Sequence, residues 1–228
     1  MPGSAARFPS TPLTTLLTGL SESEIAKLNQ CTVRRQIAPE SFLMHQHSEA
    51  RSVYMVEDGV MMMERNSSTG RRQVVAFIHP GNFIGIAQYK YYEFSVSALT
   101  PATVRELPMR SFLPLQEEIP QLKENVRDIG GNILAHALDQ VFALGQKKAH
   151  ERVCFLLQQL HSRKPDARTR MVELVMTRQD IADYLGLTIE TVSRAFSKLK
   201  RDGVIDIFSA HTVEILDHDA LREMALAE

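Results

Sequence analysis

The stretch MTRQDIADYLGLTIETVSRAFSKLKRDGVI, residues 176–205, carries the signals for two short helices joined by a tight turn. Thr177, with an aspartate three residues later, has the pattern of a residue that caps the start of a helix. Gly186 stands where a left-handed residue ends a helix, and Thr188 caps the next one, which Gly203 ends. The stretch therefore predicts a helix-turn-helix.

Apolar residues in both predicted helices recur at helical spacing and would hold the two helices together. They are Ile181, Ala182, Leu185, Val192, Ala195, Phe196 and Leu199. Ala182 is small, so the helices can cross closely at that point. An ordinary helical hairpin is the alternative, and the polar face of the second helix favours DNA recognition over it.

That polar face carries side chains suited to the edges of DNA bases. Arg194 can donate two hydrogen bonds to guanine, Glu190 can accept one from cytosine, and Ser193 can contact a base or a thymine methyl group. The alternative is a solvated ion pair between Glu190 and Arg194, which lie one turn apart. Lys198 and Arg201, further along the helix, suit phosphates.

Charge is distributed in a way that fits a DNA-binding segment. The chain has 228 residues, a formal net charge of -1 and 44% hydrophobic residues, enough for two modest folded domains. Residues 146–205 nevertheless hold 12 lysines and arginines against 7 aspartates and glutamates. A basic segment that coincides with the helix-turn-helix is the electrostatic pattern that duplex binding needs.

Short apolar runs separated by turn signals mark the region from about Gln36 to Pro108. The runs are Ser52–Val56, Val60–Met63, Gln73–Ile78 and Ala102–Leu107. Their density predicts an antiparallel β domain, closed into a sandwich or roll. His45 and His47 lie two residues apart and could hold a metal or haem, but a pair without a third ligand is a weak signal.

A long helix is predicted from Pro120 to about Gly145, because apolar residues recur there at spacings of three and four. They are Leu122, Val126, Ile129, Ile133, Leu134, Leu138 and Val141. This is more apolar surface than one small domain should cover, so the helix is either buried or shared with a second copy of the chain. Beyond Gly203, alternating residues around Ser209–His211 predict a two-stranded wing.

The segment TRQDIADYLGLTIETVSRAFSKL resembles the helix-turn-helix of the CRP/FNR superfamily of bacterial transcription regulators. VYMVEDGVMMM, GRRQVVAF and HPGNFIG are similar to strands and turns of its sensor β-roll, so the resemblance spans roughly residues 30–215. Glu190, Ser193 and Arg194 match the E-x-x-S-R pattern of the FNR and FixK branch, whereas CRP-like members carry arginine at the position of Ile189 and glycine at that of Ser193. The branch implies a target resembling TTGAT, four unspecified bases, ATCAA.

The resemblance implies an α+β fold in which an antiparallel β-roll is followed by a dimerisation helix and a winged helix-turn-helix. The expected ranges are 1–24 for an extension with a short helix, 25–110 for the roll, 111–147 for the dimerisation region and 148–228 for the DNA-binding domain. It further implies a homodimer along the long helix, double-stranded DNA and RNA polymerase as partners, and phosphate contacts by Thr177, Arg178, Gln179, Thr188 and Thr191.

Departures from the superfamily limit the signals that the roll can receive. Cyclic-nucleotide-binding members have a glutamate where this chain has Ile86, and an arginine-serine pair where it has Tyr92 and Glu93. Ile86 cannot accept a hydrogen bond from the ribose hydroxyl, and Glu93 would repel the cyclic phosphate. Cys31 and Cys154 are too few for the iron-sulfur cluster of FNR, so we expect no cofactor, and either thiol is a candidate redox switch.

The expected function is therefore that of a cytoplasmic, sequence-specific transcription regulator of the FixK type that acts as an activator. The alternative is a regulator whose DNA binding is gated by haem or another ligand in the roll. No secretion signal, membrane span or catalytic motif is evident, so neither membrane association nor enzymatic activity is expected.

Overall fold

The computed structural model describes residues 15–86, 90–163 and 169–227. The chain divides into two units, one ending at His136 and the other resuming at Ala137, so that the boundary falls inside a long helix. None of the described helices is both long and apolar enough to cross a membrane.

Two four-stranded antiparallel sheets make up the first unit. One has the strand order β1-β8-β3-β6 and the other the order β2-β7-β4-β5. The strands are β1 Val33–Ile37, β2 Phe42–Met44, β3 Ser52–Asp58, β4 Met61–Asn66, β5 Arg72–Ile78, β6 Phe83–Ile84, β7 Ser95–Ala98 and β8 Ala102–Pro108. All four predicted strands are present, each within two residues of its predicted limits except at the end of β4.

The apolar core of the roll lies between the two sheets, because alternate residues of each strand point inward. Val56 and Val104 from one sheet meet Met61 and Val96 from the other, and each of the four is at most 1% exposed. The predicted closed β-roll is therefore confirmed. The sequence did not predict β1, β2, β6 and β7 as strands, and the last three are only two to four residues long.

Helices cover the outer face of the β1-β8-β3-β6 sheet. They are α1 Glu22–Gln30, α2 Met109–Glu118 and the beginning of α3 Pro120–Gln146, and a second apolar cluster packs between them and Val53 and Leu107 of the sheet. Helix α1 starts at the Ser21 capping box. Of the segment 1–24 that was expected to hold a short helix, residues 1–14 lie outside the described residues, and α1 begins at Glu22.

Helix α3 confirms the predicted long helix, but its apolar residues do not all share one role. Leu122 is fully buried and Ile129 is 7% exposed, and both pack in this second cluster with the partly buried Val126 beside them. The prediction that Leu122 and Ile129 line a dimer interface is therefore wrong, because the protomer's own core covers them. The later residues are exposed: Ile133 52%, Leu134 61%, Leu138 60%, Val141 66% and Phe142 44%.

The second unit contains the predicted helix-turn-helix and wing. Its elements after α3 are α4 Ala149–Ser162, β9 Met171–Glu173, α5 Arg178–Leu185, α6 Ile189–Arg201, β10 Ile205–Ser209, β11 Thr212–Ile215 and α7 His218–Leu226. The wing was predicted as two strands, and the structure adds β9 as a third, in the order β10-β11-β9. Three residues are too short a run to show β periodicity in the sequence.

Candidate nucleic-acid interface

Helix α5 begins at the capping box that the sequence predicted. The backbone N–H of Asp180 donates to Thr177 Oγ1 at 3.1 Å, and the backbone N–H of Thr177 donates to Asp180 Oδ2 at 2.9 Å. The Thr177 hydroxyl also donates to Asp180 Oδ2, at 2.6 Å. These bonds satisfy donors that a helix start leaves unpaired, so the first turn of α5 is fixed.

The turn between α5 and α6 depends on Gly186, which adopts φ 61° and ψ 41°. This left-handed conformation suits glycine, and its N–H donates to Ala182 O. A Cβ at this position would lie 3.3 Å from Leu144 Cδ2, so close packing also favours glycine. Thr188 then caps α6, with its hydroxyl accepting from Thr191 N at 3.3 Å.

Helix α6 is held by one apolar face and presents the other face to solvent. Val192, Ala195, Phe196 and Leu199 are each at most 5% exposed. The opposite face is exposed along its length, at Ile189, Glu190, Ser193, Arg194, Ser197 and Arg201. We call Glu190, Ser193 and Arg194 the base-reading set, because these predicted base contacts all stand on this free face.

Local hydrogen bonds orient the base-reading set. Ser193 Oγ donates to Ile189 O at 2.9 Å, and Arg194 Nη2 donates to Thr191 Oγ1 at 3.2 Å. A hydrogen bond from Thr188 lowers the pKa of Glu190, with further contributions from the backbone N–H of Glu190 and from Arg194. Glu190 therefore stays ionised at neutral pH and remains an acceptor.

The residues predicted to contact phosphates fall into two groups. Arg201 is exposed and carries no described ion pair, and Thr177 and Thr188 are exposed at the starts of α5 and α6. Others are already engaged: Lys198 Nζ lies 2.5 Å from Asp202 Oδ2, and Gln179 Nε2 donates to Asp183 Oδ1 at 2.8 Å. A phosphate would have to compete with these partners.

Arg178 differs from the other predicted phosphate contacts. Its guanidinium carbon lies 3.6 Å from the centre of the Phe196 ring, and Nη1 is buried without a hydrogen-bond partner in the described part of the chain. Burial lowers the pKa of Arg178. The side chain therefore packs α5 against α6 through a cation–π contact, with Nη1 turned away from solvent, and its phosphate contact stays a prediction.

The wing contributes an exposed aromatic side chain that the sequence analysis missed. Phe208 is 63% exposed, at the point where the register of β10 and β11 shifts between Ile207 and Ser209. The irregular register there lets this side chain face outward. In the sequence, its only sign was an apolar residue directly before the predicted turn. His211 Nδ1 lies 3.1 Å from Leu174 O, which ties the wing turn to the chain just after β9.

Tyr92, which the resemblance places opposite the arginine-serine pair of cyclic-nucleotide-binding members, lies in the apolar core of the roll. The ring is 5% exposed, its hydroxyl donates to Ser52 O at 2.5 Å, and it accepts from Ser52 N at 3.2 Å. Glu93 beside it lies 3.5 Å from Arg65. A buried phenol and a carboxylate do not fit a cyclic phosphate.

The structure leaves the two histidines without a third ligand among the described residues and buries the Cys154 thiol. His45 and His47 are exposed around a turn, with His47 at φ 68°, and the His45 ring stacks on Phe42. Within the described ranges, no three His, Cys, Asp or Glu residues are grouped to hold a metal. Burial raises the pKa of the Cys154 thiol to about 12, so the thiol is protonated at neutral pH, and Cys31 is half-buried.

Comparison with known proteins identifies both units. Residues 34–118 match the cyclic nucleotide-binding domain family and residues 151–224 match the Crp-like helix-turn-helix domain family. The nitrogen fixation regulation protein FixK of Bradyrhizobium diazoefficiens is 40% identical over 180 residues, which cover 77% of this chain and 75% of FixK. The transcriptional activatory protein AadR of Rhodopseudomonas palustris is 36% identical over 191 residues, covering 83% of this chain and 80% of AadR.

A solved structure agrees with these sequence matches. FixK2 from Bradyrhizobium japonicum superimposes with a TM-score of 0.80 at 29% identity, covering 86% of this chain and 98% of FixK2. The fold is thus shared with FixK2, and the sequence matches extend over most of the chain. The chain belongs to the CRP/FNR superfamily of transcription regulators and is FixK-like within it.

Proposed function

We propose that the protein is a homodimeric transcription activator that recognises a palindrome resembling TTGAT, four unspecified bases, ATCAA, and that it needs no cyclic nucleotide. The observation that carries the proposal is the exposed base-reading set on a helix whose other face is buried. Arg194 supplies a bidentate donor for guanine, Glu190 an ionised acceptor for the cytosine amine, and Ser193 a short contact to a neighbouring base.

Support for the homodimer comes from the exposed apolar residues of α3. Leu134, Leu138 and Val141 follow one another at spacings of four and three, and Phe142 lies one turn after Leu138. Such a stripe can pack against the same stripe of a second copy in a parallel pair. A two-fold axis would then place two α6 helices in successive major grooves, about 34–36 Å apart, which requires a palindromic target.

Support for independence from cyclic nucleotides comes from the roll. Tyr92 occupies the interior, and Glu93 places a negative charge where relatives need a cation for the phosphate. Activation of transcription is proposed because AadR is named an activatory protein, and it implies a contact with RNA polymerase in the cytoplasm. We propose no catalytic role.

The test is fluorescence anisotropy of the purified, ligand-free protein on three labelled duplexes at one stated salt concentration. They are a TTGAT-type palindrome, a TGTGA-type palindrome and random DNA. We expect tight binding to the first alone, unchanged by added cyclic AMP. Equal binding to all three would contradict the proposed specificity.

The competing hypothesis, an effector-gated regulator, predicts a different result in the same assay. The ligand-free protein would bind all three duplexes weakly. Haem in the purified protein would give a strong visible absorption band, and another ligand would appear as an extra mass after denaturation. In vitro transcription from a promoter that carries the palindrome then separates activation from repression.

A further inference from the structure

Arg152, near the start of α4, joins the ends of two helices that serve different functions. Its Nη2 donates to Leu144 O at 2.7 Å, in the last turn of α3, and its Nε to Lys147 O at 2.9 Å, one residue after α3 ends. Its Nη1 donates to Leu185 O at 2.9 Å, at the end of α5. One guanidinium therefore bonds the end of the proposed dimer helix and the first helix of the helix-turn-helix.

The chemistry of helix ends explains why an arginine suits this position. The last carbonyl groups of a helix have no partner within the helix and carry partial negative charge. Arg152 places a cation where two such ends converge, and its planar fork sends donors to three carbonyls in different directions. A lysine ammonium, as a single point of charge, cannot span all three.

A second link joins the same two helices and does not involve Arg152. Gln140, in the penultimate turns of α3, donates from Nε2 to Tyr184 O at 2.8 Å. At the adjacent Gly186, a Cβ would lie within 3.3 Å of Leu144. The last turns of α3 are therefore fixed to the final residues of α5 by both hydrogen bonding and close packing.

We propose that Arg152 and Gln140 are positioning residues that determine which spacer length between two half-sites the dimer accepts. The inference rests on the proposed function, since it requires two copies on a palindrome. Within a dimer, the distance between the two α6 helices depends on how rigidly each helix-turn-helix is held on its own α3. One added base pair moves a half-site by about 3.4 Å and rotates it by roughly a tenth of a turn, so only a loose joint tolerates the change.

The experiment measures binding of the full-length protein to palindromes with spacers of three, four and five base pairs, and to a single half-site. Arg152→Met removes the three bonds and retains an unbranched apolar side chain. We expect about tenfold weaker binding to the four-base spacer and smaller losses on the other two, so that the preference between spacers shrinks. Half-site binding should be unchanged.

Two further variants complete the design. Arg222→Met removes an exposed arginine of α7 in the same unit and should leave the spacer preference as it is in the original protein. Gln140→Ala removes only the second link and should weaken the preference in the same direction by a smaller factor. If Arg152→Met does not fold, as judged by circular dichroism, the Gln140→Ala result decides.

Failure of the inference and failure of the proposed function give different results. An unaltered protein without any preference for the palindrome overturns both. An unaltered protein that prefers one spacer, together with Arg152→Met or Gln140→Ala variants that keep the same ratio between spacers, overturns only the inference. Equal losses on every duplex, the half-site included, would do so too, because they indicate general damage to the DNA-binding unit.

Discussion

The roll and the helix-turn-helix treat their polar groups in opposite ways. In the roll, Tyr92 is buried in the apolar core, and its hydroxyl is paired with Ser52. In the helix-turn-helix, Glu190 and Arg194 stay exposed on a helix anchored from behind. A surface keeps its capacity to bind when donors and acceptors remain available to a ligand. The polar groups of Tyr92 therefore serve the packing of the roll itself, whereas those of Glu190 and Arg194 remain available to a ligand.

The largest expected effect comes from removing the Tyr92 side chain from the core of the roll. Tyr92→Ala removes a buried aromatic ring and its two hydrogen bonds, and it should lower the free energy of unfolding by about 3–5 kcal/mol. Urea denaturation followed by circular dichroism measures the change. A small effect, below about 1 kcal/mol, would mean that Tyr92 does not fill the core and that the pocket remains open to a ligand.

The neighbouring tyrosine provides a matched control. Tyr91 is 48% exposed, so Tyr91→Ala should change the free energy of unfolding by less than about 1 kcal/mol. If the roll is a closed core, the loss of stability should be large for Tyr92→Ala and small for Tyr91→Ala. Similar losses for the two variants would contradict it.

The contrast between Tyr91 and Tyr92 also shows what sequence alone could supply. The Thr177 cap, the Gly186 turn and the apolar stripe of α6 depend on neighbours within a few residues, so the helix-turn-helix was predicted nearly residue by residue. Which tyrosine points inward depends on Ser52, 40 residues away, and no local pattern encodes it.

The prediction of a dimer interface along all of α3 was partly wrong, because local sequence does not encode contacts with distant residues. Leu122 and Leu138 both continue the apolar periodicity, yet only Leu122 is covered by the protomer's own core. Periodicity predicts which side of a helix is apolar but not what packs against it. The three carbonyl partners of Arg152 come from separate segments, which explains why the sequence did not signal that site.

The next expected effect concerns Cys154, the candidate redox switch in the DNA-binding unit. Burial raises the pKa of the Cys154 thiol from 9.0 to about 12, so at pH 8 its thiolate fraction should be about a thousandfold below that of an ordinary thiol. In a Cys31→Ser variant, Cys154 should therefore react with a disulfide reagent only after urea is added, or as the pH approaches 12.

A Cys154→Ser variant serves as the control, since it retains the half-buried Cys31. Rapid, stoichiometric modification of Cys154 in the native protein, accompanied by loss of DNA binding, would reverse the conclusion. It would make the DNA-binding unit a sensor in its own right.

A moderate effect is expected at the exposed recognition face. Arg194→Ala should weaken binding to the TTGAT-type palindrome by about 1–3 kcal/mol and relax discrimination at one guanine, with little change in the free energy of unfolding because the side chain is exposed. Anisotropy on the palindrome, on a version with that guanine replaced and on random DNA measures this. Equal losses on all three would remove Arg194 from the base-reading set.

The smallest expected effect concerns Lys198, which the structure pairs with Asp202 at 2.5 Å on an exposed surface. Exposed ion pairs contribute little to stability, so a phosphate can compete for the lysine at low cost. Lys198→Ala should weaken binding to all sequences alike and lower the slope of log affinity against log salt by about 0.9, the contribution of one phosphate contact. Asp202→Asn, which frees Lys198, should strengthen binding slightly at low salt. An unchanged slope in Lys198→Ala would show that the ion pair persists on DNA. Lys198 would then belong with the polar groups that are already paired, and not with those that are available to a ligand.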